Sequence, residues 1–145
     1  MQESDIHEVA ALEKATFSDA WTEKGIYDTW KQSQAFVVVA EENDNIIGYC
    51  IIYYVLDEGE IARIAVDSTN RKQGVGRQIL DYVVEVCNKK EITTLLLDVR
   101  ESNETARRFY QKYGFLEDGI RKNFYEGPRE HAVLMSMQIE KEKLL

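Results

Sequence analysis

Apolar residues fall at helical spacing in four stretches of this chain and at strand spacing in six. Near the start, Ile6, Val9, Ala10 and the Leu12-Glu13 step predict a helix over residues 5–16, with Ser4 placed to cap it. Thr22 is placed to cap a second, short helix carrying Ile26 and Trp30. Residues 35–40 predict a strand centred on Phe36-Val37-Val38-Val39, and residues 46–56 predict a long buried strand that returns after the turn Asn43-Asp44-Asn45. A third strand, residues 60–66, follows the turn Asp57-Glu58-Gly59. The period then changes. Val75, Ile79, Leu80, Val83, Val84 and Cys87 share one helical face, and Lys89-Lys90 suit a helix C-terminus. Residues 93–99 form a largely apolar run, the mark of a strand buried on both faces. Ser102 is placed to cap a helix over residues 103–113 that Gly114 ends. Residues 115–121 and 131–139 read as a closing pair of strands around a loop at 123–128.

An antiparallel meander followed by a β-α-β unit predicts a mixed α/β fold, with residues 1–145 as one domain. The crossover through the third helix should make the strands at 60–66 and 93–99 parallel and the connection right-handed.

Two segments carry candidate chemistry. In Ile64-Ala65-Val66-Asp67-Ser68-Thr69-Asn70-Arg71-Lys72-Gln73-Gly74-Val75-Gly76-Arg77, a strand ends, a polar loop follows and a glycine-bearing turn opens a helix. Free backbone N–H groups at such a helix start, aided by the helix dipole, bind phosphate oxygens. Gly74 and Gly76 would let the backbone approach closely, and Arg71, Lys72 and Arg77 add positive charge. The phosphate-loop pattern GxxxxGK[ST] is absent, and the dinucleotide fingerprint GxGxxG would need glycine where Ile79 stands. An ordinary strand-to-helix turn is the competing reading. In the second segment, Leu95-Leu96-Leu97-Asp98-Val99-Arg100-Glu101-Ser102-Asn103 leads into a helix, and Tyr110 follows Asn103 by about two turns on the same face. A tyrosine there could protonate a leaving group; alternatively it is a core residue.

The net charge of −8 argues against naked nucleic acid as a partner; it would steer a basic substrate favourably, but on charge alone the acidity is better read as keeping the protein soluble. No apolar run approaches the roughly 20 residues a membrane helix needs. Met1-Gln2-Glu3-Ser4-Asp5 is acidic and polar rather than signal-like, so the cytoplasm is the expected location. Cys50 and Cys87 lie in apolar surroundings, and His7 and His131 lie near opposite ends. Buried core cysteines are expected, with no disulfide framework and no metal site.

Together the two segments resemble the GCN5-related N-acetyltransferase (GNAT) superfamily, whose motif [RQ]xxGx[GA] falls on residues 71–76, followed by Asn103, Tyr110, Gly114 and Phe115. The resemblance implies a GNAT fold: a mixed central sheet of about six to seven strands with helices on both faces. It implies acetyl-CoA as co-substrate. The pyrophosphate would lie on the loop formed by Arg71, Lys72, Gln73, Gly74, Val75, Gly76 and Arg77, with Asn103 and Tyr110 alongside. The pantetheine arm would pair like a strand with Ile64, Ala65 and Val66, splayed from the strand at 93–99 by a bulge. The family's short first strand has no counterpart in the pattern, so it is missing or lies upstream of Met1. Several pieces are similar to the bacterial ribosomal-protein alanine N-acetyltransferases (RimI): Ile64-Ala65-Val66-Asp67, the Leu97-Asp98-Val99-Arg100 stretch with Ser102-Asn103, Ile120-Arg121-Lys122-Asn123-Phe124-Tyr125, and the ending Arg129-Glu130-His131-Ala132-Val133-Leu134-Met135. That resemblance implies a basic acceptor, the N-terminal alanine of a small-subunit ribosomal protein. It places the catalytic carboxylate on Asp98, where the family usually has glutamate, and the catalytic tyrosine on Tyr110.

The expected chemistry is direct transfer. Asp98, or Glu60 at the opening of its strand, would accept the amine proton, directly or through water. A backbone N–H near Val66 would polarise the thioester carbonyl, and Tyr110 would protonate the departing thiolate. Trp21, Phe124 and Tyr125 lie on loops expected beside the amine, as substrate contacts or as packing. Two other functions stay open at this point: a GNAT enzyme for a protein lysine or small-molecule amine, and a non-catalytic acetyl-CoA-binding module.

Overall fold

A computed structural model describes residues 1–71 and 73–140. The elements follow the predicted order: α1 (Ile6–Thr16), α2 (Glu23–Lys31), β1 (Ala35–Glu42), β2 (Asn45–Val55), β3 (Glu58–Val66), α3 (Val75–Lys89), β4 (Thr94–Arg100), α4 (Glu104–Tyr113), β5 (Leu116–Tyr125) and β6 (Glu130–Gln138). The strands form one six-stranded mixed sheet in the order β1-β2-β3-β4-β6-β5. Only β3 and β4 run parallel, as the α3 crossover requires.

Helices cover both faces because the strands alternate. On one face Cys50, Ile52, Ile61, Leu95, Leu97 and Val99 pack against Ile79, Leu80, Val83 and Cys87 of α3 and Tyr110 of α4. On the other, Val37, Tyr49, Ile51 and Ala65 pack against Ile6 and Val9 of α1 and Ile26 of α2. The Met1 amino group donates to the Val37 carbonyl at 3.1 Å.

Several local expectations change. Ser4 does not cap the first helix: residues Glu3–Asp5 form a 3-10 turn before α1, and the Asp5 carboxylate accepts from the Gln2 N–H at 2.8 Å. Ser102 is not the cap of α4; Asn103 is, its Oδ1 accepting from the Ala106 N–H at 3.1 Å. β3 starts at Glu58 rather than 60, since a tight turn at Leu56-Asp57 lets Val55 and Glu58 pair. β4 alternates buried and half-buried positions instead of being buried throughout, because its second face opens onto the site. β5 runs to Tyr125, so Phe124 and Tyr125 end a strand rather than sitting on a loop.

The feature that makes the site is a bulge. In the β2–β3 ladder Ile52 pairs with Ile61 and Ile51 with Arg63, leaving Ala62 as an extra residue on β3. β3 and β4 pair only at Glu58–Thr94, Gly59–Leu95 and Glu60–Leu96. Beyond the bulge the two strands part, and a gap opens in the middle of the sheet.

Candidate active site

Each wall of the gap offers groups that local structure leaves free. The Asp67 N–H donates to the Ile47 carbonyl at 2.7 Å, so Asp67 turns its N–H toward β2. By antiparallel alternation Ile64 and Val66 then turn their N–H and C=O groups away from β2, into the gap, and Ala65 turns its own toward β2. Arg71 Nε, donating to the Val66 carbonyl at 3.0 Å, marks that outward direction.

At the end of the gap α3 begins. Gly74 sits there with φ at 80°, the left-handed region that glycine enters without cost. α2 and α4 are capped by the side chains of Thr22 and Asn103, whereas the start of α3 has no side-chain cap. Among the described residues the first helical N–H to find a partner is that of Gln78, bonded to the Gly74 carbonyl at 3.1 Å, which leaves those of Val75, Gly76 and Arg77 for a ligand. A Cβ on Gly74 would meet nothing within 4 Å, so the space beside these amides is open. Gly76 is there for a different reason from the one its spacing suggests. A Cβ on it would lie 3.0 Å from Phe109 Cζ, so it lets α3 pack closely on α4 rather than clearing space for a ligand. Arg71, Gln73 and Arg77 are exposed around the cradle; Lys72 lies outside the described residues.

The mouth of the gap holds the titratable groups. Leu95, Leu97 and Val99 face α3 and α4, so Asp98 projects from the opposite face, toward α1 and α2. Burial pushes its carboxyl above the ordinary value, and the charge of Arg121 opposes the shift. Tyr125 is close enough for Asp98 to act on it: burial and the Asp98 charge push its phenol up to about 12, against the pull of Arg100 and Arg63. The Arg100 guanidinium lies 4.6 Å from the centre of the Tyr125 ring, and Phe124 packs edge-on at 5.0 Å. Tyr110 comes from the α4 side. Its ring is wedged edge-on between Phe109 and Phe115, at 5.3 and 5.6 Å. Burial, with Cys50 and Tyr125 adding to it, keeps its hydroxyl firmly protonated. Among the described residues no protein group bonds this hydroxyl, and its oxygen is not sealed inside the core, so its proton is free for a ligand.

Glu60 is exposed and sits at the last paired position of β3, opposite Leu96, on the same face as Asp98. It marks the closed apex of the gap, and Asp98 stands two residues further, where the strands have parted. Asn103 is exposed at the start of α4, with Oδ1 committed to its cap. Trp21 lies between α1 and α2, its ring 6.4 Å from that of Tyr53.

One buried acid escaped the sequence reading. Glu13, on the apolar stripe of α1 with Ile6 and Val9, is fully buried, and its charge is met by Arg63 Nε at 3.2 Å. The only signal for it was an acidic residue at a position whose period predicts burial.

An anion cradle beside an open strand edge suits one elongated ligand, with phosphate at one end and an amide-bearing arm along its length. Coenzyme A has that form, so the protein is of the class that takes an acyl group from coenzyme A. The chain belongs to the acetyltransferase (GNAT) family, whose model matches residues 6–115. It is an acetyl-CoA-dependent N-acetyltransferase. A putative ribosomal protein bS18-alanine N-acetyltransferase of Bacillus subtilis is 34% identical over 140 residues, covering 96% of this chain and 93% of that one. The ribosomal protein bS18-alanine N-acetyltransferase of Escherichia coli K12 is 30% identical over 142 residues, covering 96% and 95%. The crystal structure of the Escherichia coli ribosomal-protein-S18-alanine N-acetyltransferase superposes with a TM-score of 0.89 at 29% identity, over 99% of this chain and 93% of that one. No helix among the described residues is long and apolar enough to cross a membrane.

Proposed function

We propose that this enzyme transfers the acetyl group of acetyl-CoA to the α-amine of the N-terminal alanine of ribosomal protein bS18, in the cytoplasm. The observation that carries the reading is that relatives bearing this name match it at 30–34% identity along 96% of its length. The charge of −8 suits a basic acceptor.

Acetyl-CoA brings the activated thioester. The N–H groups of Val75, Gly76 and Arg77 would hold its pyrophosphate, with Arg71 and Gln73 around them and Asn103 across the gap. Ile64, Ala65 and Val66 supply the strand along which the pantetheine arm lies. The N–H groups turned into the gap there are placed to polarise a carbonyl. Asp98 is the base. Its raised pKa keeps it a better proton acceptor than an exposed aspartate, and its place in the opened stretch favours it over Glu60 at the apex. Tyr110 holds the proton for the sulfur. Trp21, Phe124 and Tyr125 line the acceptor side, the Tyr125 hydroxyl remaining a donor at neutral pH.

The reading has a built-in preference. An α-amine has a pKa of about 7.7–8.0 and lysine about 10.4, so at neutral pH the α-amine offers roughly 300 times more of the neutral nucleophile. A peptide beginning with the alanine terminus of bS18 should therefore be acetylated at least about a hundredfold faster at its α-amine than at any internal lysine. Mass spectrometry of the product, with an α-blocked peptide as control, decides this. Acetyl found mainly on lysine would overturn the N-terminal assignment and leave the family membership intact.

The Asp98 assignment predicts two opposite effects of Asp98→Asn. At pH 7 only about a tenth of an α-amine is neutral, so losing the base should cost about tenfold in rate, and the loss should fade toward pH 9. Glu60→Gln should leave the acidic limb of the pH–rate profile where it is. Stability moves the other way. Asp98 has a folded-state pKa above its unfolded value, so its protonation favours folding. That contribution is complete below the unfolded pKa and disappears as pH rises through the folded one. Asp98→Asn should thus melt higher than the native protein at pH 7, and the difference should close on acidification. A flat pH–rate difference together with a lower melting temperature would move the base elsewhere.

A further inference from the structure

The Glu13–Arg63 pair does more than bury charge. Glu13 is fully buried and takes three donors: the Trp21 N–H at 2.8 Å, the Tyr49 hydroxyl, and Arg63 Nε at 3.2 Å. Arg63 extends from there to the loop between α1 and α2, where Nη2 donates to the Asp19 carbonyl at 2.9 Å and to Asp19 Oδ1 at 3.1 Å. Its guanidinium carbon sits 4.2 Å from the centre of the Phe17 ring and 5.7 Å from that of Trp21. One side chain thereby grips the loop at Phe17, Asp19 and Trp21. Arg63 is also the residue next to the Ala62 bulge, at the point where β3 leaves β4. A buried ion pair is a poor way to gain stability, because desolvating two charges offsets most of their attraction and apolar residues of like volume do as well or better. What an arginine fork offers instead is orientation: several donors fixed in one plane.

We propose that Arg63, seated on Glu13, is a positioning residue for the acceptor: it fixes the loop at residues 17–21 over the mouth of the splayed gap and thereby sets how well the amine-bearing substrate binds. This rests on the reading of that mouth as the amine site. The acceptor is a peptide terminus laid between the loop and Tyr125, and the loop's height over the gap decides whether its amine reaches Asp98. The cradle for the pyrophosphate lies at the start of α3, away from this clamp, so acetyl-CoA affinity should not depend on it.

Two variants separate position from stability. Arg63→Lys keeps a charge against Glu13, but a single ammonium cannot reach Glu13 and both Asp19 oxygens together. Glu13→Leu combined with Arg63→Leu replaces the pair by apolar bulk. Both should raise the KM for the alanine-initiated peptide about tenfold, the scale of one charged hydrogen bond, with acetyl-CoA affinity unchanged by calorimetry. Because Glu13→Leu leaves the Trp21 N–H and the buried Tyr49 hydroxyl without their acceptor, the double variant should melt below the native temperature, and its KM is read where it is folded. A double variant that folds and keeps the native acceptor KM would reduce the pair to a structural one and overturn the proposal, as would a loss confined to acetyl-CoA affinity. In a Trp30→Phe background, acrylamide should quench Trp21 fluorescence more strongly in Arg63→Lys than with Arg63 in place. Unchanged quenching overturns the clamp. If the native enzyme acetylated no peptide terminus, the proposed function would fall, and the quenching would still report whether Arg63 holds the loop.

Discussion

Tyr110→Phe is expected to lower kcat by about 10²–10⁴-fold, the usual worth of a positioned general acid, with acetyl-CoA affinity nearly unchanged. The ring is held by Phe109 and Phe115, and these edge contacts survive the change. Only the hydroxyl goes, and among the described residues no protein group depends on it. The size of the effect follows from the chemistry of the leaving group. A thiol of pKa about 8.5 leaves as a thiolate, whereas a buried phenol lies above its usual value of about 10 and never lacks its proton at neutral pH. Complete transfer to sulfur is uphill, so the phenol works by donating as sulfur charge develops, and its contribution is felt in the chemical step. Steady-state kinetics beside calorimetric titration with acetyl-CoA tests this. A variant with native kcat across the pH range would make Tyr110 a packing residue and require another proton source for the thiolate.

Gly74→Asp should weaken acetyl-CoA binding by at least about a hundredfold, because two or more charged hydrogen bonds of about 1.5–3 kcal/mol each are at stake. The substitution is informative because the chain should still fold, with only a modest loss of stability. Its Cβ meets nothing within 4 Å. The left-handed φ of 80° costs a side chain about 1–2 kcal/mol, and aspartate at an N-cap returns part of that by accepting from the helix amides. Those are the same amides that the pyrophosphate requires, now occupied by a fixed carboxylate that also repels phosphate. A folded variant whose melting temperature is lowered by a few degrees, with no calorimetric binding, is the expected pair of results. Normal binding would show that the pyrophosphate lies elsewhere, and every role assigned along the gap would have to be redrawn.

The sequence by itself determined what depends on neighbours along the chain. The order of four helices and six strands followed from periodicity, and the parallel β3–β4 pair followed from the α3 crossover. The buried face of α3, including Val75, Ile79, Leu80 and Cys87, was legible in its spacing. The loop from Arg71 to Arg77 read as an anion site because its free amides arise from the helix start alone. The positions of Asp98, Asn103 and Tyr110 came from family resemblance laid on that frame. Tertiary structure decided what depends on partners far along the chain. Ser102 and Asn103 are equal as caps by composition, and the turn of the chain leaving β4 chose Asn103. Phe124 and Tyr125 became strand because β6 was there to pair with β5. Gly76 proved to be a packing glycine because Phe109, on another helix, comes to 3.0 Å from where its Cβ would stand. The splay of the sheet was implied by resemblance, but its place, at Ala62, is set by the register of β3 on β2, which no local pattern specifies. Glu13 and Arg63 are 50 residues apart in sequence. A buried carboxylate is tolerable only once its counter-charge arrives, and that arrival belongs to the folded chain.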